Sequence, residues 1–445
     1  MMKLKITFLP VLLFMAGSLF AQQTPAPEQT TPVTIVGATA HLGNGEVIKN
    51  SLIILEDGKI RTVTDANSTK MPYRGTVIEA KGKHVYPGFI SPNSTLGLVE
   101  IDAIRQSDDE DELGEMLPHV RSIIAYNAES QVVESMRPNG VLTGQITPRG
   151  GRISGTSSLV QFDAWNWEDA VLKENDGLHI NWPNSIKRGR WWMGEDPGVK
   201  PNDKYAEEVQ NLSEFFRNSK AYLAGPKDQK NLPFEAMQGL SEGKKKIYIH
   251  ADGEKEIIDI LNFSKEHQLE NVVLVGGYNA YKVADELKAA NVPVLVGRVH
   301  NTPNLEDQDY DLPYKMAGLL HEKGLLVALE TSGSMERMNS RNLPFYAGTV
   351  AAFGVDKEEA LKMITSNTAK ILGVDDFMGT LETGKDATLF ISEGDALDMR
   401  TNKVTHAFIQ GRQISLESHQ TELADRYSKK FESQSEQSEE VAEQQ

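Results

Sequence analysis

The 445-residue chain contains no cysteine. Disulfides, thiolate metal sites, cysteine nucleophiles and a lipid anchor on an N-terminal cysteine are therefore excluded. Basic residues are in the minority, 46 Lys and Arg against 63 Asp and Glu, for a formal charge of −17. So acidic a protein is repelled by nucleic acid and by anionic membranes, and neither is expected as a partner. Tryptophans are few, and all five (Trp165, Trp167, Trp182, Trp191 and Trp192) fall in one segment. Clustering of this kind reads either as a local hydrophobic core beneath an insertion or as a ligand platform. Trp165 and Trp167 are accordingly candidate ligand-binding residues.

Long apolar runs are also scarce. The clearest, Ile6 to Phe20, follows Lys3 and Lys5 and ends in Leu19-Phe20-Ala21, a signal-peptidase pattern. It is shorter than the ~20 residues a membrane span needs. Residues 1–21 are expected to be a signal peptide, with no membrane insertion after its cleavage. The periplasm is the expected location, and secretion is the alternative.

Residues 22–31, rich in Gln, Pro and Thr, read as a linker. From 32 to 86 the chain is a series of short β-rich runs broken by turn residues, with Asp57-Gly58 as a hairpin signal. His41 and His84 in this region are isolated and are expected to be structural or surface histidines. The loop from Val99 to Leu117 carries Asp108 to Glu112 in an unbroken acidic run and is expected to be solvated. After the strand ending at Ile146, Pro148 to Gly155 is a Gly-rich turn whose N–H groups suit an anion. From Asp203 onward, helical and β-type runs alternate: strands at Lys246–His250, Asn271–Val275, Val292–Val296 and Leu325–Glu330, with helices between them. Such alternation implies parallel strands with crossover helices, and its length implies an α/β (β/α)8 TIM-like barrel. Lys357 to Leu372 reads as one further helix.

Three stretches carry a family resemblance. Val85 to Leu98, VYPGFISPNSTLGL, resembles the first barrel strand of the amidohydrolase superfamily. Asp375 to Ile391, DDFMGTLETGKDATLFI, resembles the segment that ends such barrels, and Val404 to Ile414 resembles the hairpin returning to their small β-sandwich. The likeness is greatest to imidazolonepropionase-like metal-dependent hydrolases. It implies a discontinuous sandwich from residues 32–86 and 381–416 around a barrel of 87–380. The polar, acidic tail 417–445 is expected to be a frayed helix running into disorder.

In that family, histidines, an aspartate and often a bridging lysine or glutamate hold one or two metals at the barrel mouth. Laid on the pattern, the first-strand histidines fall on Asn93 and Thr95, the sixth-strand histidine on Gly276 and the catalytic aspartate on Ser332. His250 is the retained family ligand, a candidate for metal, and Asp252 and Glu330 are candidate catalytic carboxylates. Asn93 and Thr95 become candidate ligand-binding residues. The resemblance therefore implies a pseudoenzyme without cofactor, binding a small molecule or peptide, or pairing with an active paralogue in a hetero-oligomer. The alternative is an active hydrolase of C–N bonds in cyclic amides or small peptides, with one divalent metal such as zinc in an atypical site.

Overall fold

Eight strands build the sheet that carries the site: β1 (Phe89–Ser94), β2 (Val141–Ile146), β3 (Ile153–Gln161), β4 (Val171–Asn181), β5 (Lys246–Ala251), β6 (Val272–Gly276), β7 (Val294–Val296) and β8 (Val327–Leu329). They lie in sequence order, each bonded to the next. The computed structural model describes residues 24–443 apart from 197, 228 and 305–307. The expected signal peptide, 1–21, lies outside the described residues.

The barrel departs from strict (β/α)8 in one place. β3 is antiparallel to both β2 and β4, whereas the remaining neighbours are parallel. Short connections explain it: 147–152 and 162–170 cannot carry the dozen or more residues of a parallel crossover. From β4 onward the connections hold helices, namely α1 (Tyr205–Ala224), α2 (Glu254–His267), α3 (Ala284–Ala289), α4 (Leu312–Glu322) and α5 (Leu343–Ala352). α2 buries Ile257, Ile260 and Phe263 on one face, as an amphipathic helix against a sheet must. Phe263 meets Phe216 of α1 and Trp182 edge-on, each with ring centroids 5.2 Å apart. Truncating such an aromatic to alanine costs about 3–5 kcal/mol.

The expected single helix at Lys357–Leu372 is two, α6 (Lys357–Lys362) and α7 (Ser366–Leu372). The break has a use. Leu329 N–H donates to Met363 O (3.0 Å), Ile90 N–H to Ile364 O (3.1 Å), and Asn367 Nδ2 to Val327 O (3.0 Å). Backbone groups on edge strands β1 and β8 are thus satisfied by the chain between the helices, and the sheet is nearly closed. The end of α7 then packs Ile371, Leu372 and Val374 against inward-facing Ile90, Tyr248 and Val273, closing the barrel floor.

The termini meet in two small sheets. One runs Lys59–Asp65, Ser51–Glu56, Val33–Val36, Thr76–Glu79; the other runs Arg412–Ile414, Val404–Ile409, Leu389–Ser392, His84–Pro87, Thr39–His41, Val47–Ile48. Their facing apolar residues, including Ile35, Ile53, Val85, Leu389 and Phe408, form a core separate from the barrel's. His41 and His84 are neither isolated nor superficial partners. His41 Nδ1 lies 2.7 Å from Glu358 Oε1 on α6, and His41 Nε2 lies 3.0 Å from His84 Nδ1, so the pair ties the small domain to the barrel. The tail is helical over His419–Glu443. Ser418 precedes it as a cap, its Oγ accepting from Thr421 N–H.

Candidate functional site

A string of polar side chains fills the barrel from its centre to its C-terminal mouth. Asp176, on β4, is the inner hub. It accepts from Ser157 Oγ at 2.6 Å, Gln145 Nε2 at 2.9 Å and Tyr248 OH at 2.9 Å. The Ser157 proton is therefore committed to Asp176, and Ser157 Oγ accepts from His179 Nε2 (2.9 Å). That assigns the tautomers. His179 Nδ1 then holds a lone pair and accepts from His250 Nε2 at 3.0 Å, leaving His250 Nδ1 as an acceptor. Burial first, and then the Arg149 charge, push the His250 pKa down to about 3. His179 is lowered well below the usual imidazole value by burial, with His250 and Arg149 adding to it. Both rings are neutral at neutral pH.

The β1 side of the mouth is organised by a cation. β1 and β2 lose register between Ser91 and Ser94, and Asn93 takes a left-handed φ of 49°, a conformation asparagine tolerates far better than β-branched residues do. Arg149 donates to Asn93 Oδ1 and Asn93 O, each at 2.9 Å, and to Glu336 Oε2 at 3.0 Å. Glu336 Oε1 accepts Thr95 N–H at 2.6 Å, and Arg337 bonds Thr95 Oγ1 while pairing with Asp102 and Glu110. The acidic loop is thus only partly solvated. It also takes up the Gly-rich turn expected to cradle an anion: Arg149 N–H donates to Glu110 O, and Arg152 and Ile153 N–H both donate to Glu115 O.

Across the barrel seam, Glu330 Oε2 accepts Ser332 N–H at 2.7 Å and Asn93 Nδ2 at 3.3 Å. Burial pushes its pKa up to about 7, against the opposing pull of the Ser332 hydrogen bonds. Asp252 is also raised by burial, opposed by Tyr278 N–H, which donates to its Oδ1 at 3.2 Å and joins the β5 and β6 loops. His250, Asp252, Glu330, Trp182, Tyr278 and Arg298 line one cavity of about 520 Å³. That is the size of a small-molecule site. Arg298 Nη2 is held by the carbonyls of Thr331 (3.1 Å) and Ser332 (3.2 Å), and its Nε is buried without a partner among the described residues. A cavity of similar volume beside α1 and α2, lined by Phe216 and Met237, contains none of these groups.

The structure thus brings His250, Asp252, Glu330, Asn93 and Thr95 to one mouth, and it separates the tryptophans from them. Trp165 and Trp167 follow β3, whose antiparallel course delivers them to the opposite end of the barrel. There Asp163 bonds Arg412 of the small domain, so these two residues do not share the cavity. Nor do the five tryptophans form a local core: Trp182 is buried, while Trp165, Trp191 and Trp192 are 63–71% exposed. His179, Ser157, Asp176, Gln145 and Arg149 escaped the sequence reading because the family pattern names strand ends, and most of these lie one layer deeper. Arg149 alone had a signal, its place in the Gly-rich turn after β2.

The chain's residues do not fit a hydrolytic metal. Such sites take three or more protein ligands. Both first-strand positions are already bonded to cationic side chains, Asn93 Oδ1 to the Arg149 guanidinium and Thr95 Oγ1 to that of Arg337. At the sixth strand Gly276 has φ 89°, and a Cβ there would stand 2.7 Å from Asp252 Oδ1. His250 Nε2 is engaged by His179. Among the described residues no group of three His, Asp or Glu is arranged to hold an ion.

Residues 204–414 match the model of the amidohydrolase family. An amidohydrolase from Thermotoga maritima superposes with a TM-score of 0.74 at 22% identity, covering 86% of this chain and 99% of that one. A prolidase complexed with N-methylphosphonate-L-proline gives 0.52 at 13% identity, covering 86% and 100%. Phenylurea hydrolase B gives 0.51 at 14% identity, covering 86% and 97%. No curated protein matches the sequence. The family match thus covers residues 204–414, a little under half of the chain, and the likeness to solved amidohydrolases extends the shared fold over 86% of it.

Proposed function

We propose that this is an exported, non-catalytic member of the superfamily whose barrel mouth binds a small amide or peptide ligand. The observation that carries the reading is the Arg149 clamp, a fixed positive charge bonded to Asn93 and Glu336 at the end of β1. A dication beside that guanidinium would meet repulsion at short range. The cavity remains, with Trp182 as an apolar wall, Arg298 as a cation suited to a ligand carboxylate, and neutral His250 as a hydrogen-bonding group. Elemental analysis of the mature protein, with tryptophan fluorescence titrated by dipeptides, tests it. Expected are no stoichiometric metal, and quenching that is lost in Arg298→Met. Stoichiometric zinc, manganese or iron lost in His250→Ala, with hydrolysis lost in parallel, would refute it.

One observation favours a second reading. A buried carboxyl titrating near 7 is what general acid–base chemistry needs, and Glu330 at the cavity wall is such a group. Hydrolysis of a cyclic amide or dipeptide by the wild type, abolished in Glu330→Gln, would establish that reading in place of the first.

A further inference from the structure

Between β4 and α1 a hairpin of Ile186–Arg188 and Val199–Pro201 stands out from the barrel mouth, its strands paired to each other and exposed along their length. An isolated two-stranded hairpin is marginal in water unless an apolar face is covered. Here the apolar residues are uncovered: Trp191 is 71% exposed, Trp192 68%, Met193 61%, Ile186 51% and Val199 50%. The two indoles are set edge to face at 6.3 Å, a ready-made platform. Together these side chains leave roughly 600 Å² of apolar surface open, the upper end of what a monomer tolerates. The hairpin is also basic. Arg190 and Lys200 are paired within it to Glu195 and Asp196, while Lys187 and Arg188 have no carboxylate partner among the described residues.

The complement of that surface stands on the same end of the same barrel. The loop after β1 holds eight carboxylates and one arginine between residues 100 and 115. Leu113 at its tip is 96% exposed, with Ile101 and Ile104 also exposed. Asp109, Glu112 and Glu115 around it are exposed and meet no lysine or arginine among the described residues. The loop is held in shape by Arg337 and by the backbone bonds of the Gly-rich turn.

We propose that two copies of this chain pair mouth to mouth, the Trp191–Trp192 hairpin of each docking on the acidic Leu113 loop of the other. The contact is reciprocal and so closes as a two-fold dimer. Two hairpins alone supply roughly 1,200 Å² of apolar surface, enough for a specific interface. A chain of net charge −17 disfavours an anionic lipid surface as the occupant. The inference is independent of whether the cavity binds or hydrolyses.

Sedimentation equilibrium of the mature chain tests it. The wild type is expected to dimerise, and W191S/W192S to weaken dimerisation on the order of 100-fold, as for paired aromatic hot spots. K187E/R188E is expected to weaken it at least about tenfold. Adding E112K/E115K to K187E/R188E is expected to restore it, because both faces are then reversed. The exposed positions leave the core intact, and an unchanged melting temperature checks that. A wild type that stays monomeric at tens of micromolar, a dimer indifferent to W191S/W192S, or a charge swap without rescue would each overturn the proposal. So would a monomer that floats with phosphatidylglycerol vesicles and loses this in W191S/W192S, since the hairpin would then be a membrane anchor.

Discussion

Glu330→Gln isolates the most perturbed carboxyl of the mouth. Glu330 is 2% exposed, so no solvent discount applies. Its folded pKa, about 7, lies above the ordinary 4.5. Below the unfolded value both states hold the proton, and the group imposes no penalty. As pH rises, the unfolded chain releases its proton first, so stability falls between about pH 4.5 and 7 and then levels off. From 4.5 to about 7, at ~1.4 kcal/mol per pH unit, the loss is ~3 kcal/mol. Glutamine keeps the shape and an acceptor for Ser332 N–H, and it never ionises. Urea unfolding of both proteins, followed by tryptophan fluorescence at pH 5 and pH 8, reads the difference. The variant should gain on the wild type by about 2–3 kcal/mol across that interval. Other titrating groups are common to both proteins and cancel in the comparison. Parallel stability curves would show that Glu330 ionises freely in the fold and that the account of its burial is wrong.

Arg149→Met strands Glu336, a carboxylate only 4% exposed, and should lower stability by about 3–5 kcal/mol. R149M/E336Q should recover part of that loss, read as the shift in denaturation midpoint. Gly276→Ala meets both a φ of 89° and Asp252 Oδ1 at 2.7 Å from the new Cβ. It should lower stability by about 1–3 kcal/mol, and an unchanged melting temperature would refute the claim that no side chain fits there. His250→Gln removes a ring held neutral to about pH 3. Its folded pKa is depressed, so wild-type stability falls as pH drops from about 6.5 toward 3. That acid-side slope should be shallower in the variant.

Much of the fold was legible because its signals are local. The periodic face of Glu254–His267, the apolar, Val-rich run at Val272–Val275 and the two framing segments that resemble the family each declare themselves within a stretch of four to seventeen residues. The absence of histidine at 93, 95 and 276 is likewise a property of sequence alone. Pairing is not. The direction of β3 follows from connections too short for a crossover, and it alone carries Trp165 and Trp167 to the far end of the barrel. His250 meets His179 across 71 positions, Arg149 meets Asn93 across 56, and Glu330 meets Asn93 across 237. Residue types and spacing determined which groups this barrel possesses. Strand order, register and closure of the seam decided which of them touch, because side chains so distant in sequence share an environment only when the sheet between them has formed.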